Sequence, residues 1–249
     1  MTVRIPRPTS AAHRARALAG LRGRSVNFTE DEPHSPGGEW NFDTHRCFLA
    51  REAPGPPEPG GAWDIARALV RDYEFSDPDR VRAVYDGREE LLGRNMLLEG
   101  RFYGLRFDMG VRVTVVIDET REGDRRVWGW GYETLEGHLE RGRMTYEVIK
   151  DMSSGTVEFV ITGFSQDDPA LDPVLRLGWR LFGRATQLGF YRRCGARMHE
   201  LVQARLADGR GATGERRHDG PLLAPSDARP GPFERFALRI DHPSSGRRR

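Results

Sequence analysis

The sequence predicts an α+β fold in which a curved antiparallel sheet of about six to seven strands packs against one long C-terminal helix. Two patterns support this prediction. Between residues 91 and 164, apolar side chains alternate with polar ones in short runs, which is the period of β-strands. From residue 172 onward, apolar side chains recur every three or four positions, as they do on one face of a helix. The sheet must cover an apolar face, and this helix is the long amphipathic element available to do so.

The N-terminal part of the chain is expected to form one strand and two short helices. Residues 1–38 are rich in Arg, Ala and Pro, which is typical of a flexible basic tail, although residues 11–21 would suit a short helix. Rough alternation over residues 40–49 predicts the first strand. Residues 62–73 have apolar side chains at helical spacing, and a second short helix is expected after a capping segment at 76–79.

The middle of the chain is predicted to be an antiparallel meander of about six strands with short connections. β-branched residues fill most positions of residues 111–118, which favours a strand there. The predicted strands are residues 91–98, 101–108, 111–118, 127–135, 143–149 and 156–164.

The last part of the chain is predicted to form one long helix and a tail. The helix begins at Asp172-Pro173, because Pro is well tolerated in a first helical turn. Residues 207–249 are rich in Gly, Arg, Pro and Asp and are expected to be largely disordered. The predicted organisation is therefore one domain over residues 39–206 between two tails. The predicted apolar stripe of the helix includes Leu188, Tyr191, Cys194, Met198 and Leu201.

Length and composition limit the class of protein. A chain of 249 residues can form one domain with a full core plus tails. The chain has 39 basic and 37 acidic side chains, so its net charge does not indicate a nucleic-acid partner. No apolar run approaches the roughly 20 residues that span a bilayer and no secretory signal is recognisable, so a cytoplasmic location is expected. Cys47 and Cys194 lack metal-site spacing and are expected to be reduced thiols, so we expect neither a metal nor a cofactor.

Five short motifs resemble those of the DUF1990 (UPF0548) family and extend over about residues 41–206. The central one, a Thr-Leu-x-Gly-His turn followed by Glu140-x-Gly142, is fairly specific. Shorter family members more often have Pro after the His and an acidic pair after the Gly, where this chain has Leu139 and Arg143-Met144. Because the family has no assigned function, the resemblance implies one domain and no reaction. The motifs are Trp40-Asn-Phe-Asp43, Gly61-Ala-Trp-Asp-Ile-Ala-Arg67, Arg101-Phe-Tyr-Gly-Leu-Arg106, Trp128-Gly-Trp-Gly-Tyr-Glu-Thr-Leu-Glu-Gly-His138 and Phe164-Ser165.

The order of the predicted elements is also similar to that of START-like (Bet v 1-like) helix-grip domains. Those domains typically hold an apolar cavity between sheet and helix. The resemblance therefore implies a binding site for a small apolar or amphipathic molecule.

The predicted strand at residues 127–135 holds the densest group of candidate ligand-binding residues. Alternation places its aromatic side chains on one face and Gly129, Gly131 and Glu133 on the other. The glycines either admit side chains of the helix, which we favour, or form the floor of a ligand pocket with Glu133 as its ionisable group. Two arginines and a tyrosine upstream would suit an anionic head group. The predicted ligand-binding residues are Trp128, Trp130, Tyr132, Glu133, Tyr146, Arg101, Tyr103 and Arg106.

His138 and Glu140 follow in a turn, and a His beside a carboxylate can transfer protons near neutral pH. The candidate catalytic residues are therefore Glu133, His138 and Glu140. A Ser or Cys nucleophile does not accompany them, so a triad is not indicated, and two side chains are too few for a metal site.

Three hypotheses follow, in order of preference. The chain is a module that binds a small ligand in a cavity. Alternatively, it is an enzyme that uses Glu133 or His138 as acid or base in that cavity. Thirdly, it contacts acidic surfaces through its basic tails and the Arg-rich face of the last helix, with Trp179 and Phe182.

Overall fold

The computed structural model describes residues 2–4, 11–35, 40–102, 105–167, 173–209, 211, 220–228 and 238–241. The fold is α+β, and the predicted helix-grip arrangement of a sheet and a long C-terminal helix is confirmed. The helices are α1 Ala11–Ala19, α2 Ala62–Arg71 and α3 Pro173–Ala207, with a 3-10 turn at Glu32–His34. The strands are β1 Thr2–Arg4, β2 Asn41–Arg51, β3 Val81–Asp86, β4 Asn95–Phe102, β5 Leu105–Arg121, β6 Arg125–Thr134, β7 Glu140–Asp151, β8 Thr156–Asp167, β9 Pro221–Ala224 and β10 Leu238–Asp241.

Eight strands form one antiparallel path in the order β2-β8-β7-β6-β5-β4-β3-β9. From β3 to β8 each strand pairs with the next one in sequence, which is the predicted meander. β10 adds parallel pairing to the start of β5, and β1 pairs with β10. Both ends of the chain therefore contribute strands to the sheet.

The second short helix that we predicted after α2 is instead the strand β3. The spacing of Val81, Val84 and Tyr85 suits a helix, but Ala83 and Tyr85 alternate into the main core while Val84 faces the other side. A short apolar run cannot be assigned to helix or strand from its period alone. Here β4 and β9 pair with both edges of β3, and this pairing selects the extended conformation.

The predicted turn at Glu99-Gly100 is also wrong, because β4 continues through both residues. Likewise, the predicted strand 101–108 is divided between β4 and β5, and the predicted strand 111–118 continues in the same 17-residue strand β5. Gly100 lies in the strand because it packs closely: a Cβ there would be 2.7 Å from Cε of Met109. A glycine inside a strand often marks such a close approach, and sequence does not distinguish it from a turn.

The structure has helices on both faces of the sheet. On one face, α2 and α3 cover the main core, to which α3 contributes Tyr191, Cys194, Met198 and Val202. On the other face, α1 buries Leu18 and, just after the helix, Leu21 is also buried against β3 and β4. Residues 11–35 are therefore packed, in contrast to the flexible tail we expected. The domain limits at residues 39 and 206 remain predictions.

The long helix α3 confirms the predicted element, but its apolar stripe differs in detail. Leu188 is 40% exposed, and Val202 rather than Leu201 continues the buried stripe. Trp179 and Phe182 lie outside the described side chains. None of the described helices is long and apolar enough to cross a membrane.

Candidate functional site

A cavity of about 120 Å³ lies between the sheet and α3. It has room for more than one water molecule. Residues of β3 to β7, of the turn between β6 and β7, of the segment after α2 and of α3 line it. The main apolar lining residues are Leu98, Phe107, Met109, Leu139, Met144 and Phe190.

Four of the six tyrosines in the chain line the cavity. The other polar side chains of the lining are Arg80, Arg101, His138, Glu140, Thr186 and Gln187. Tyr132 on β6 and Tyr146 on β7 share the core face, and their hydroxyl oxygens are 3.4 Å apart. Tyr73 reaches the same region from the end of α2, with its ring edge-on to that of Tyr146 at 6.0 Å. Tyr191 enters from α3. Burial raises the pKa of all four, so their hydroxyls stay protonated at neutral pH.

His138 lines the cavity from the turn between β6 and β7. Its backbone N–H donates to the carbonyl of Leu135 at 3.0 Å, and its Nδ1 accepts the N–H of Glu140 at 3.0 Å. Because Nδ1 is an acceptor, the proton of the neutral ring is on Nε2. Burial lowers the pKa of His138 to about 4, so the imidazole is neutral at physiological pH and presents a hydrogen-bond donor.

The buried imidazole should make stability depend on pH. The folded-state pKa of about 4 lies below the ordinary value of 6.5, so as pH falls the unfolded chain takes up this proton first. The contribution of His138 is complete above pH 6.5 and falls by about 3 kcal/mol as the pH drops to about 4. We expect His138→Asn, whose carbonyl can still accept the Glu140 N–H, to reduce this loss. Urea unfolding across that pH range measures it.

A matched control is His34→Asn, since His34 is exposed. It should leave the pH dependence of the unfolding free energy unchanged. Equal pH profiles for wild type and His138→Asn would contradict the proposed burial of a neutral imidazole.

The structure brings several of the other predicted residues to the cavity and leaves others away from it. Arg101 and Glu140 line it together with His138, Tyr132 and Tyr146. Burial, and then the charges of neighbouring arginines, lower the pKa of Arg101 to about 10.

Arg106 is the cross-strand neighbour of Arg101 but is not among the lining residues described. Tyr103 lies outside the described residues. Trp128 and Trp130 belong to the main core beside the cavity, and Nε1 of Trp130 donates to the carbonyl of Val70 at 2.9 Å.

Glu133 lies on the sheet face opposite the cavity. Its Oε1 accepts a hydrogen bond from Nε of Arg143 at 3.0 Å. Gly129 and Gly131 share this face, where a Cβ would collide with the Tyr146 carbonyl or lie 2.8 Å from Oγ1 of Thr145. These glycines thus admit the neighbouring strand β7, rather than helix side chains or a ligand. Glu133 is therefore separated by the sheet from His138.

Sequence reasoning did not assign Tyr73, Leu139 or Tyr191 to the site. We predicted Tyr73 to be an inward residue of a helix and Tyr191 to be part of an apolar stripe, and both are buried. The available signal was that several tyrosines, rather than phenylalanines, occupy predicted core positions, since a buried hydroxyl needs a partner. Among the described residues, no group of three His, Cys, Asp or Glu side chains could hold a metal ion.

Comparisons with known proteins give one family and several similar folds. The sequence profile of a domain of unknown function, DUF1990, matches residues 24–197. No curated protein matches the chain in sequence.

The solved structures similar to this chain are distant. Norcoclaurine synthase from Thalictrum flavum, in complex with dopamine and hydroxybenzaldehyde, is 12% identical over 72% of this chain and 95% of that chain, with a TM-score of 0.42. A hypothetical protein from Helicobacter pylori is 10% identical over 72% and 96%, with a TM-score of 0.44. Ara h 8.0201 is 10% identical over 64% and 97%, with a TM-score of 0.37.

Proposed function

The chain belongs to the DUF1990 family, and from this premise we propose that its domain binds a small amphipathic molecule in the cavity between the sheet and α3. One observation carries the proposal: the cavity combines an apolar wall with several buried hydrogen-bonding groups. Binding sites for small molecules usually have this composition, because apolar contacts provide affinity and a few polar groups fix orientation.

A packing defect would be a poor explanation for such a cavity. Unfilled space in a core lowers stability, and a hydroxyl buried without a partner lowers it further. Larger apolar side chains at Leu98 or Met144 could fill the space, and phenylalanine could replace Tyr132 or Tyr146 without loss of the ring. The presence of both space and hydroxyls supports a site that is completed by another molecule.

A second candidate, an enzyme, is supported in a narrower form than the sequence suggested. Glu133 and His138 cannot act together in one cavity, because the sheet separates them. Glu140 lines the cavity beside His138 and is the carboxylate positioned for acid–base work. With its lowered pKa, His138 would orient a substrate as a hydrogen-bond donor instead of transferring a proton.

The binding proposal is tested by native mass spectrometry of freshly purified protein, followed by extraction under denaturing conditions. We expect an additional mass that denaturation releases. If the protein purifies without it, titration with the fluorescent probe N-phenylnaphthylamine should show saturable binding. Met144→Trp places a larger side chain in the cavity and is expected to reduce either signal at least about tenfold, because overlap removes the ligand's space.

The matched control is Leu92→Trp, which introduces the same side chain at a position that is 59% exposed and away from the cavity. It should retain binding. Circular dichroism must show that both variants are folded. No bound mass and no saturable probe binding in the wild type would refute the proposal, as would equal binding by Met144→Trp.

A further inference from the structure

Tyr73 occupies a backbone position that usually belongs to glycine. α2 ends at Arg71, and Tyr73 follows its C-cap with φ of 57°. The N–H of Tyr73 bonds to the carbonyl of Val70 at 3.2 Å, and that of Glu74 bonds to the carbonyl of Leu69 at 2.9 Å. This pair of bonds is the Schellman ending of a helix, in which glycine avoids the clash between Cβ and the backbone. An aromatic residue here holds strain that the surrounding packing must oppose.

The hydroxyl of Tyr73 is also unsatisfied. Tyr73 is 1% exposed, and its oxygen has no hydrogen-bond partner of normal geometry in the described part of the chain. The hydroxyls of Tyr146 and Ser76 approach it closely enough to lower its pKa as hydrogen-bonding neighbours, but neither reaches normal hydrogen-bond geometry with it, and each has another contact. Ser76 donates to the carbonyl of Val81 at 2.8 Å, and Tyr146 lies within hydrogen-bond distance of Tyr132. A buried hydroxyl without a partner is unfavourable.

Packing explains the ring of Tyr73 but not its hydroxyl. The ring contacts those of Phe75, Trp130 and Tyr146, with centroids 4.8, 6.1 and 6.0 Å away. A phenylalanine would make the same contacts without burying an oxygen. The hydroxyl therefore needs a different explanation, and the cavity that Tyr73 lines provides one.

We infer that the hydroxyl of Tyr73 donates a hydrogen bond to the buried end of the bound molecule, and that this end carries an uncharged acceptor such as a carbonyl oxygen. The inference rests on the proposed binding function. An acceptor fits because other groups of the lining can donate: one hydroxyl of the Tyr132–Tyr146 pair, whose other proton lies between the two oxygens, and Nε2–H of His138.

An uncharged end fits better than a carboxylate. Arg80 and Arg101 line the cavity, but neither is among the groups that influence the pKa of Tyr73 and Tyr146, which are other hydroxyls and the thiol of Cys194. A carboxylate beside these hydroxyls would lose its hydration without a direct counter-ion there. A ketone, aldehyde, amide or ester needs only hydrogen-bond donors.

The test compares two probes of nearly the same shape, acetophenone and ethylbenzene, with the variant Tyr73→Phe. Only the ketone can accept a hydrogen bond. In NMR titrations, we expect wild type to bind acetophenone about tenfold more tightly than ethylbenzene, and Tyr73→Phe to abolish this preference. The unfolding temperature of the variant without ligand should be unchanged or higher, because an unpartnered hydroxyl is removed.

Tyr85→Phe is the matched control. Tyr85 is 2% exposed, but its hydroxyl donates to the carbonyl of Asp72 at 3.3 Å and lies outside the cavity lining. This variant should unfold at a lower temperature and keep the preference for acetophenone.

The outcomes separate the two proposals. If neither probe binds the wild type, the proposed cavity site is refuted. If both probes bind wild type and Tyr73→Phe alike, the cavity remains and the role of Tyr73 is refuted. A lower unfolding temperature for Tyr73→Phe, matching that of Tyr85→Phe, would show that its hydroxyl is structural and would also overturn the inference.

Discussion

Replacing Glu52 with Ala is expected to lower the free energy of unfolding by about 3–5 kcal/mol, because it leaves Lys150 buried without a counter-ion. Nζ of Lys150 is 2.7 Å from Oε2 of Glu52 and 2.9 Å from the carbonyl of Pro56, and the lysine side chain is fully buried. The same carboxylate accepts the N–H of Trp63 in the first turn of α2 at 2.8 Å. The substitution thus removes an ion pair and a helix cap together. Urea unfolding followed by circular dichroism measures the loss.

An exposed ion pair between neighbouring strands provides the control. Nη1 of Arg46 is 3.3 Å from Oε2 of Glu158, and half of the Arg46 side chain is exposed. Glu158→Ala should cost less than about 1 kcal/mol, since water screens such pairs. The double variant Glu52→Leu with Lys150→Met should recover part of the loss, because no charge stays buried. A loss below about 1 kcal/mol for Glu52→Ala would contradict this account.

The importance of Lys150 illustrates what the sequence cannot reveal. It is the only lysine of the chain, yet neither its burial nor its partner 98 residues away follows from local pattern. The meander and the long helix could be predicted, because alternation and helical spacing are local properties. The strand β3 could not be predicted, because its extended conformation depends on pairing with β9. That strand belongs to a segment that we expected to be disordered.

The candidate site could be predicted in part, because alternation along a strand is a local property of the sequence. Alternation within each strand selected Tyr132 and Tyr146 as candidate ligand-binding residues, and both line the cavity. Residues that are close in the sequence can still lie on different sides of the sheet. Glu133 at the end of β6 and His138 in the turn that follows are an example. Tyr73 could not be assigned, because its left-handed backbone conformation results from how α2 ends.

Replacing Trp130 with Ala is expected to lower the free energy of unfolding by about 3–5 kcal/mol, the usual cost of removing a buried indole. Trp130 is fully buried, and its ring centroid lies 5.5 Å from that of Tyr146 and 6.1 Å from that of Tyr73. Its Nε1 also donates to the carbonyl of Val70 near the end of α2. The substitution therefore leaves a cavity and removes one of the hydrogen bonds to the Val70 carbonyl, which also accepts the N–H of Tyr73. Urea unfolding monitored by circular dichroism avoids relying on the removed fluorophore.

Two further variants, Trp130→Phe and Leu92→Ala, test whether the indole of Trp130 stabilises the core or contacts a ligand. Leu92 is 59% exposed, so its loss should cost less than about 0.5 kcal/mol. Trp130→Phe should cost less than Trp130→Ala and keep probe binding, since the indole lies beside the cavity and is absent from its described lining. If Trp130→Phe kept full stability but lost the probe, the indole would be a ligand-binding residue, as the sequence suggested. The free energy of unfolding of Trp130→Phe therefore distinguishes a structural indole from a ligand-binding one. A structural indole joins the end of α2 to the sheet, so its replacement lowers stability even when no ligand is bound.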